Sequence, residues 1–283
     1  MILVTVSDDR FGRKGGIYQK TQEKIERFFK SRPEFGFTDY LMLKWSDIVG
    51  TDFYNNNKNF LTWMNPNING LVYKPFAILE GLKKIKDGEF LIYNDCSPEL
   101  WNFEEDFFLD PNIFDLNVAK KLCEMNNNIL TAMNMYLEEG LWRGGRGFHT
   151  HKRMTSPICL KKMDCEKYLD YLQHAAGMWI IKKNNDTVKF IEEWLKWNLV
   201  PECAGVTDLK LLEEKESKHI EYKGENKKNV GGNEKYLTDG MKENKYLGGH
   251  RCDQSISGLL INKRGNKLIF TRIKKKIKNQ KIQ

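Results

Sequence analysis

The chain has 283 residues, six cysteines, 40% hydrophobic residues and a formal net charge of +8. That is enough for one large domain or two small ones with a sizeable core. The cysteines are scattered and form no CxxC pair, which argues against a disulfide framework or a zinc site. No apolar run approaches the roughly 18 residues needed to cross a bilayer.

The charge is local. Nine Lys or Arg and no acid fall between Asn262 and Gln283, so residues 1–261 carry about −1. A nucleic-acid binder carries its basic stripe on the folded body, so no nucleic-acid partner is expected.

The opening stretch, Met1 to Ser7, lacks a basic n-region and reads as a first strand, Ile2–Ser7, and not as a signal peptide. The expected compartment is cytoplasmic. A Gly15-Gly16 turn leads into a helix over Tyr18–Arg32, stopped by Pro33. A second strand covers Asp39–Leu43. This βαβ opening predicts an α/β fold with a parallel, doubly wound sheet. It contains no GxGxxG, which disfavours a dinucleotide site. Thr51 to Asn69 reads as a surface excursion. Val72 to Lys86 predicts a helix with Pro75 in its first turn and Phe76, Leu79, Leu82 and Ile85 on one face.

The stretch Glu89-Phe-Leu-Ile-Tyr-Asn-Asp95 has four apolar residues that stop at an acid. It reads as a buried strand delivering one carboxylate to its C-terminal edge, where ligands bind in open α/β sheets. Beyond it come a helix over Asn117–Met125, a strand over Ile129–Met135, and a Gly-, Arg- and His-rich loop from Leu141 to Met154. A short helix over Cys165–His174, a strand over Gly177–Lys182 and a helix capped by Asp186 and running to Trp197 follow. That last helix is expected to turn Val188, Ile191 and Leu195 inward.

Residues 205–248 hold nine acids and nine lysines with few large apolar residues, a composition that buries little surface. They read as a flexible insertion. His250 to Ile261 predicts a final helix, and residues 266–283 form a basic tail. That tail either lies on an anionic membrane surface as a peripheral contact or extends as a solubilising segment.

Several residues carry chemistry in this pattern. Asp95 supplies a hard oxygen to a divalent ion such as Mn²⁺ or Mg²⁺, which a departing diphosphate needs. Lys74, at a helix start, is placed to meet a phosphate or a carboxylate. Lys152 and Arg153, in a glycine-rich loop, suit a diphosphate. His250, Asp253 and Gln254 share one helix face. Gly177 allows close approach of a ligand to the backbone. His149, His151 and His174 match no common zinc spacing.

Taken together, these motifs resemble GT-A-fold, nucleotide-sugar-dependent glycosyltransferases. The resemblance rests on Thr5-Val-Ser7-Asp8, Tyr73-Lys74-Pro75, Tyr93-Asn-Asp95, Thr150-His-Lys152-Arg153, Gln173-His-Ala-Ala-Gly177 and His250-Arg-Cys-Asp253-Gln254-Ser255, in that order. It covers residues 1–265 apart from the insertion. It implies a GT-A, Rossmann-like domain that moves a sugar from a nucleotide-diphosphate sugar, UDP-linked by first expectation, to a hydroxyl of a carbohydrate-bearing acceptor. It further implies a metal at Asp95 and His250, a nucleotide held by Thr5, Ser7, Asp8, Arg10, Lys74 and Asp95, and a diphosphate at Lys152 and Arg153. The donor sugar would meet Gln173, Gly177 and Asp253, and Asp253 and Gln254 would act in catalysis. Two positions depart from the family pattern: Tyr73 replaces Trp, and Ser97 stands where a second acid often is. Two alternatives stay open. Arg10 to Gly16 resembles the basic, Gly-rich loop of a sugar nucleotidyltransferase, and a chain that kept the fold without turnover would be a carbohydrate-binding protein.

Overall fold

The structure is a computed structural model that describes residues 1–7, 16–63, 72–97, 101, 115–131, 150–174, 176–204 and 252–266. Among these residues no helix is long and apolar enough to cross a membrane. Five strands, β1 (Ile2–Ser7), β2 (Asp39–Lys44), β3 (Phe90–Asn94), β4 (Ile129–Thr131) and β5 (Met178–Lys182), make one sheet in the order β2-β1-β3-β5-β4. β1 pairs in parallel with β2 and β3, while β5 pairs antiparallel with β3 and β4. The sheet is therefore mixed and mostly parallel, as expected, with β5 alone reversed. An apolar run such as Met178-Trp-Ile-Ile fits a central strand in either direction, because burial on both faces carries no polarity.

β1 is buried along its whole length, and its alternation sorts the two cores. Ile2, Val4 and Val6 join Leu91, Tyr93, Trp179 and Ile181 on one face. That face is covered by helices α5 (Tyr73–Lys83), α9 (Asn185–Asn198) and α10 (Cys252–Lys263). Leu3, Ile92 and Ile180 face the other side, under Ile25, Phe28 and Phe29 of α1 (Ile17–Lys30) and under Ala119 and Cys123 of α6 (Leu116–Met125). The result is a three-layer α/β architecture, the class expected from the strand and helix alternation.

α5 buries most of its circumference, from Tyr73 to Ile78 and again at Gly81 and Leu82, as an all-round apolar helix in a covered layer must. It lies tight on the sheet at Gly81. A Cβ there would stand 2.5 Å from Val4 Cγ2 and 2.7 Å from Leu91 Cδ1, inside any real van der Waals contact.

Other elements differ from expectation for local reasons. The excursion after β2 contains α2 (Trp45–Ile48), α3 (Asp52–Asn56) and α4 (Lys58–Trp63), with Thr51 capping α3 by accepting from the Tyr54 amide. β4 covers only Ile129–Thr131 of the expected 129–135, the remainder lying outside the described residues. α7 (His151–Met154) and α8 (Pro157–Lys162) precede a single 3-10 turn at Glu166–Tyr168, where a helix over Cys165–His174 was expected. Ser156 caps α8 and Pro157 opens it, a start signal that the Cys165–His174 assignment overlooks. α9 is capped by Asn184, not Asp186: the Asn184 side chain accepts from the Thr187 amide at 2.8 Å, and Thr187 Oγ1 accepts from the Asn184 amide at 3.0 Å. Starting there, α9 turns Thr187, Phe190, Ile191 and Trp194 inward, with Val188 and Leu195 only partly buried. Asn266, the last described residue, is tied to the body: its amide donates to the Asn126 carbonyl at 2.8 Å.

Candidate functional site

A helix that crosses between parallel strands starts beside their C-terminal edge. α5 crosses from β2 to β3, so its first turn and the end of β3 share that edge. Lys74 sits in that turn and is buried. A lysine is almost never buried without a partner, and the helix dipole disfavours a cation at an N-terminus. Two carboxylates answer both costs. Lys74 Nζ donates to Asp95 Oδ2 at 2.9 Å and lies 3.0 Å from Asp253 Oδ2 as an ion pair outside hydrogen-bond angles. Asp95 follows β3 directly and keeps 16% of its side chain exposed, whereas Asp253, in the first turn of α10, keeps 4%.

The electrostatics follow from this packing. Burial works against the charge on Lys74, but Asp253 and Asp95 outweigh it and hold the ammonium above its ordinary range. Burial pushes the Asp253 carboxyl up, opposed by Lys74. Beside them, burial and then the Asp95 charge push the Tyr93 phenol well up. The three charged groups sum to −1, in a place where an unmatched charge costs several kcal/mol.

A polar network behind the triad fixes α10. Gln254 donates to Gln173 Oε1 at 3.0 Å, and Gln173 donates to Ser255 Oγ at 2.9 Å. Asn262 Nδ2 approaches His151 Nε2 at 3.1 Å, and His151 Nδ1 lies 2.8 Å from Thr155 Oγ1. An amide nitrogen only donates, so His151 accepts at Nε2 and donates from Nδ1, which makes it a neutral structural pin. Gly258 lets α10 approach this pin: a Cβ there would stand 3.0 Å from His151 Cε1. His174 hydrogen-bonds Thr131 through Nδ1 at 2.9 Å, its Nε2 has no hydrogen-bond partner within bonding geometry among the described residues, and burial, opposed by Asn262, pulls its imidazole down to about 4.

The structure therefore brings Lys74, Asp95, Asp253, Gln254 and Gln173 into one connected cluster. The half-buried Gly177 joins through its carbonyl, which accepts from the Asp95 amide at 2.8 Å. Thr5 and Ser7 lie apart, on the α1 face: Thr5 Oγ1 accepts from Gln22 Nε2 at 2.9 Å, and Ser7 donates to Gln22 Oε1 at 3.0 Å. Lys152 is exposed, with its amide bonded to the Leu169 carbonyl. Asp8, Arg10, His250 and the side chain of Arg153 lie outside the described residues. Asn94 was not singled out by its sequence, since an amide beside an acid carries no motif. It is fully buried, and among the described residues neither end of its amide has a partner, a state rare in folded proteins.

The fit for a divalent ion can be judged from the donor set. Asp95 and Asp253 converge, but they converge on an ammonium. Among the described residues no three His, Cys, Asp or Glu side chains gather in a way that could hold a metal. An ion bridging the two carboxylates would need the place that Lys74 fills.

No family profile, no curated protein and no solved structure matches this chain.

Proposed function

We propose that the chain is a glycosyltransferase that moves a sugar from a nucleotide-diphosphate sugar, a UDP-sugar first among them, to a hydroxyl of a carbohydrate acceptor. The observation that carries this reading is the buried Lys74 between Asp95 and Asp253 at the C-terminal edge of the parallel strands. The order of sequence motifs supports it. Carboxylates on rigid strand and helix ends accept hydrogen bonds from sugar hydroxyls, and the triad's charge of −1 favours ligands that donate. Asp253, raised by burial, is the better placed of the two to draw a proton from an attacking hydroxyl. In that role the reaction inverts the anomeric centre. Lys152 and Arg153 meet the diphosphate as the glycosidic bond to it breaks.

The test is nucleotide release from a panel of nucleotide sugars, with and without simple sugar acceptors. Asp253→Ala is expected to lower turnover about a hundredfold or more, and Asp95→Ala to do so comparably. Unchanged turnover in Asp95→Ala sinks the assignment. Pyrophosphate release from a nucleoside triphosphate and a sugar phosphate would replace it with a nucleotidyltransferase.

A further inference from the structure

We propose that Lys74 is the resident cation of this site: its ammonium holds the position between Asp95 and Asp253 that a divalent ion takes between two carboxylates elsewhere. The inference deepens the reading above and rests on it only for the identity of the hydroxyl-bearing ligand.

Three observations carry it. The ammonium lies within 3.0 Å of both carboxylates, so it occupies the bridging position itself and not a flank. The lysine sits where burial and a helix N-terminus both disfavour it, so packing alone gives no reason for the residue. Finally, α5 is closely seated: a Cβ at Gly81, two turns along, would stand 2.5 Å from Val4 Cγ2 and 2.7 Å from Leu91 Cδ1, so the backbone that carries the lysine lies tight on the sheet.

A cation entering between the carboxylates would stand in van der Waals range of a like charge. A divalent ion of this type binds through one or two carboxylates, and both carboxylates here are already engaged by the ammonium. The chain thus gains a charge that neither pH in the physiological range nor chelation removes. Asp95 and Asp253 keep their remaining lone pairs for hydroxyl donors.

The experiment uses the full chain and MnCl2 alone, followed by titration calorimetry and thermal melting. The variants are Asp95→Asn, Lys74→Met and the double variant Lys74→Met with Asp95→Asn. The wild type and Asp95→Asn are expected to respond alike to Mn²⁺. Lys74→Met leaves a buried carboxylate, Asp253, and a partly buried one, Asp95, as facing like charges. It is expected to melt lower than the wild type and to bind Mn²⁺ about tenfold tighter, its melting temperature rising with the ion by mass action. Adding Asp95→Asn is expected to remove that gain. Mn²⁺ binding by the wild type that weakens about tenfold in Asp95→Asn overturns the proposal, and so does a folded Lys74→Met that gains no affinity. Should Lys74→Met not fold, the comparison of wild type with Asp95→Asn decides alone: equal responses uphold the proposal and unequal ones overturn it. None of these readouts uses nucleotide-sugar turnover, so failure of the transferase reading leaves them interpretable.

Discussion

The indole N–H of Trp194 donates to the backbone carbonyl of Asp253 at 3.1 Å. Trp194 is fully buried in α9 and packs against Trp179 of β5, with ring centroids 4.7 Å apart. The first turn of α10, and with it the Asp253 carboxylate, is thereby tied through α9 to the interior strand β5. Trp194→Phe keeps a ring but removes the donor. It is expected to cost about 1 kcal/mol, read as a lower urea midpoint with an unchanged slope.

The two carboxylates back each other up. Asp95→Asn or Asp253→Asn alone leaves the Lys74 ammonium with one partner, at an expected cost of about 1–3 kcal/mol each, below the full penalty for stranding a buried charge. The double variant strands it. Its destabilisation is expected to exceed the sum of the two singles, a coupling that equilibrium unfolding of all four proteins measures directly. Additive costs would mean that the ammonium finds a third partner.

His174 makes stability depend on pH. Its folded value is pulled down to about 4, against about 6.5 in an unfolded chain. Above pH 7 both states are neutral and the residue contributes no slope. Below about 6.5 the unfolded state takes the proton first, so stability falls by up to about 1.4 kcal/mol per pH unit until about pH 4. Carboxylates add their own slope at the acid end, so His174→Gln serves as the reference. It is expected to flatten the urea midpoint between pH 6.5 and 5.

The cap of α9 can be separated from its neighbour. Asn184→Ala removes the acceptor for the Thr187 amide and is expected to cost about 1 kcal/mol. Asp186→Asn changes only an exposed first-turn charge and is expected to stay within about 0.5 kcal/mol. Thermal melts of the two variants distinguish the assignments.

Burial patterns made much of this architecture legible in advance. Apolar runs located β1, β2, β3 and β5 to within a residue or two: β1, β3 and β5 are largely buried, and the edge strand β2 keeps an apolar middle between exposed ends. The reversal of β5 was not legible, since such a run has no direction. Proline and the apolar rows announced α5, and the apolar run from Ile256 to Ile261 announced α10. Lys74, Asp95 and Asp253 each stood out as polar residues at element ends. Their meeting was not readable: Lys74 and Asp253 are far apart in sequence, and nothing local says that a lysine is buried. Asp186 was expected as the cap and Asn184 is the residue that caps; both residue types cap well, and only the geometry of Thr187 chooses between them. Thr5 and Ser7 were expected beside a nucleoside, and they lie with Gln22 of α1. Strand alternation places them on that face, but their partner there depends on the side chain α1 presents.

Gly81 bears on the site without touching it. Its missing side chain sets the spacing between the α5 layer and the sheet, and Lys74 rides on the same rigid helix two turns away. The gap between ammonium and carboxylates is therefore a mechanical dimension as much as a chemical one. A single methyl at position 81 would meet Val4 Cγ2 and Leu91 Cδ1 inside van der Waals contact, so either those side chains or the helix that carries Lys74 must shift while every charged residue stays as it is. Tuning of this centre can thus be inherited through a residue that has no side chain.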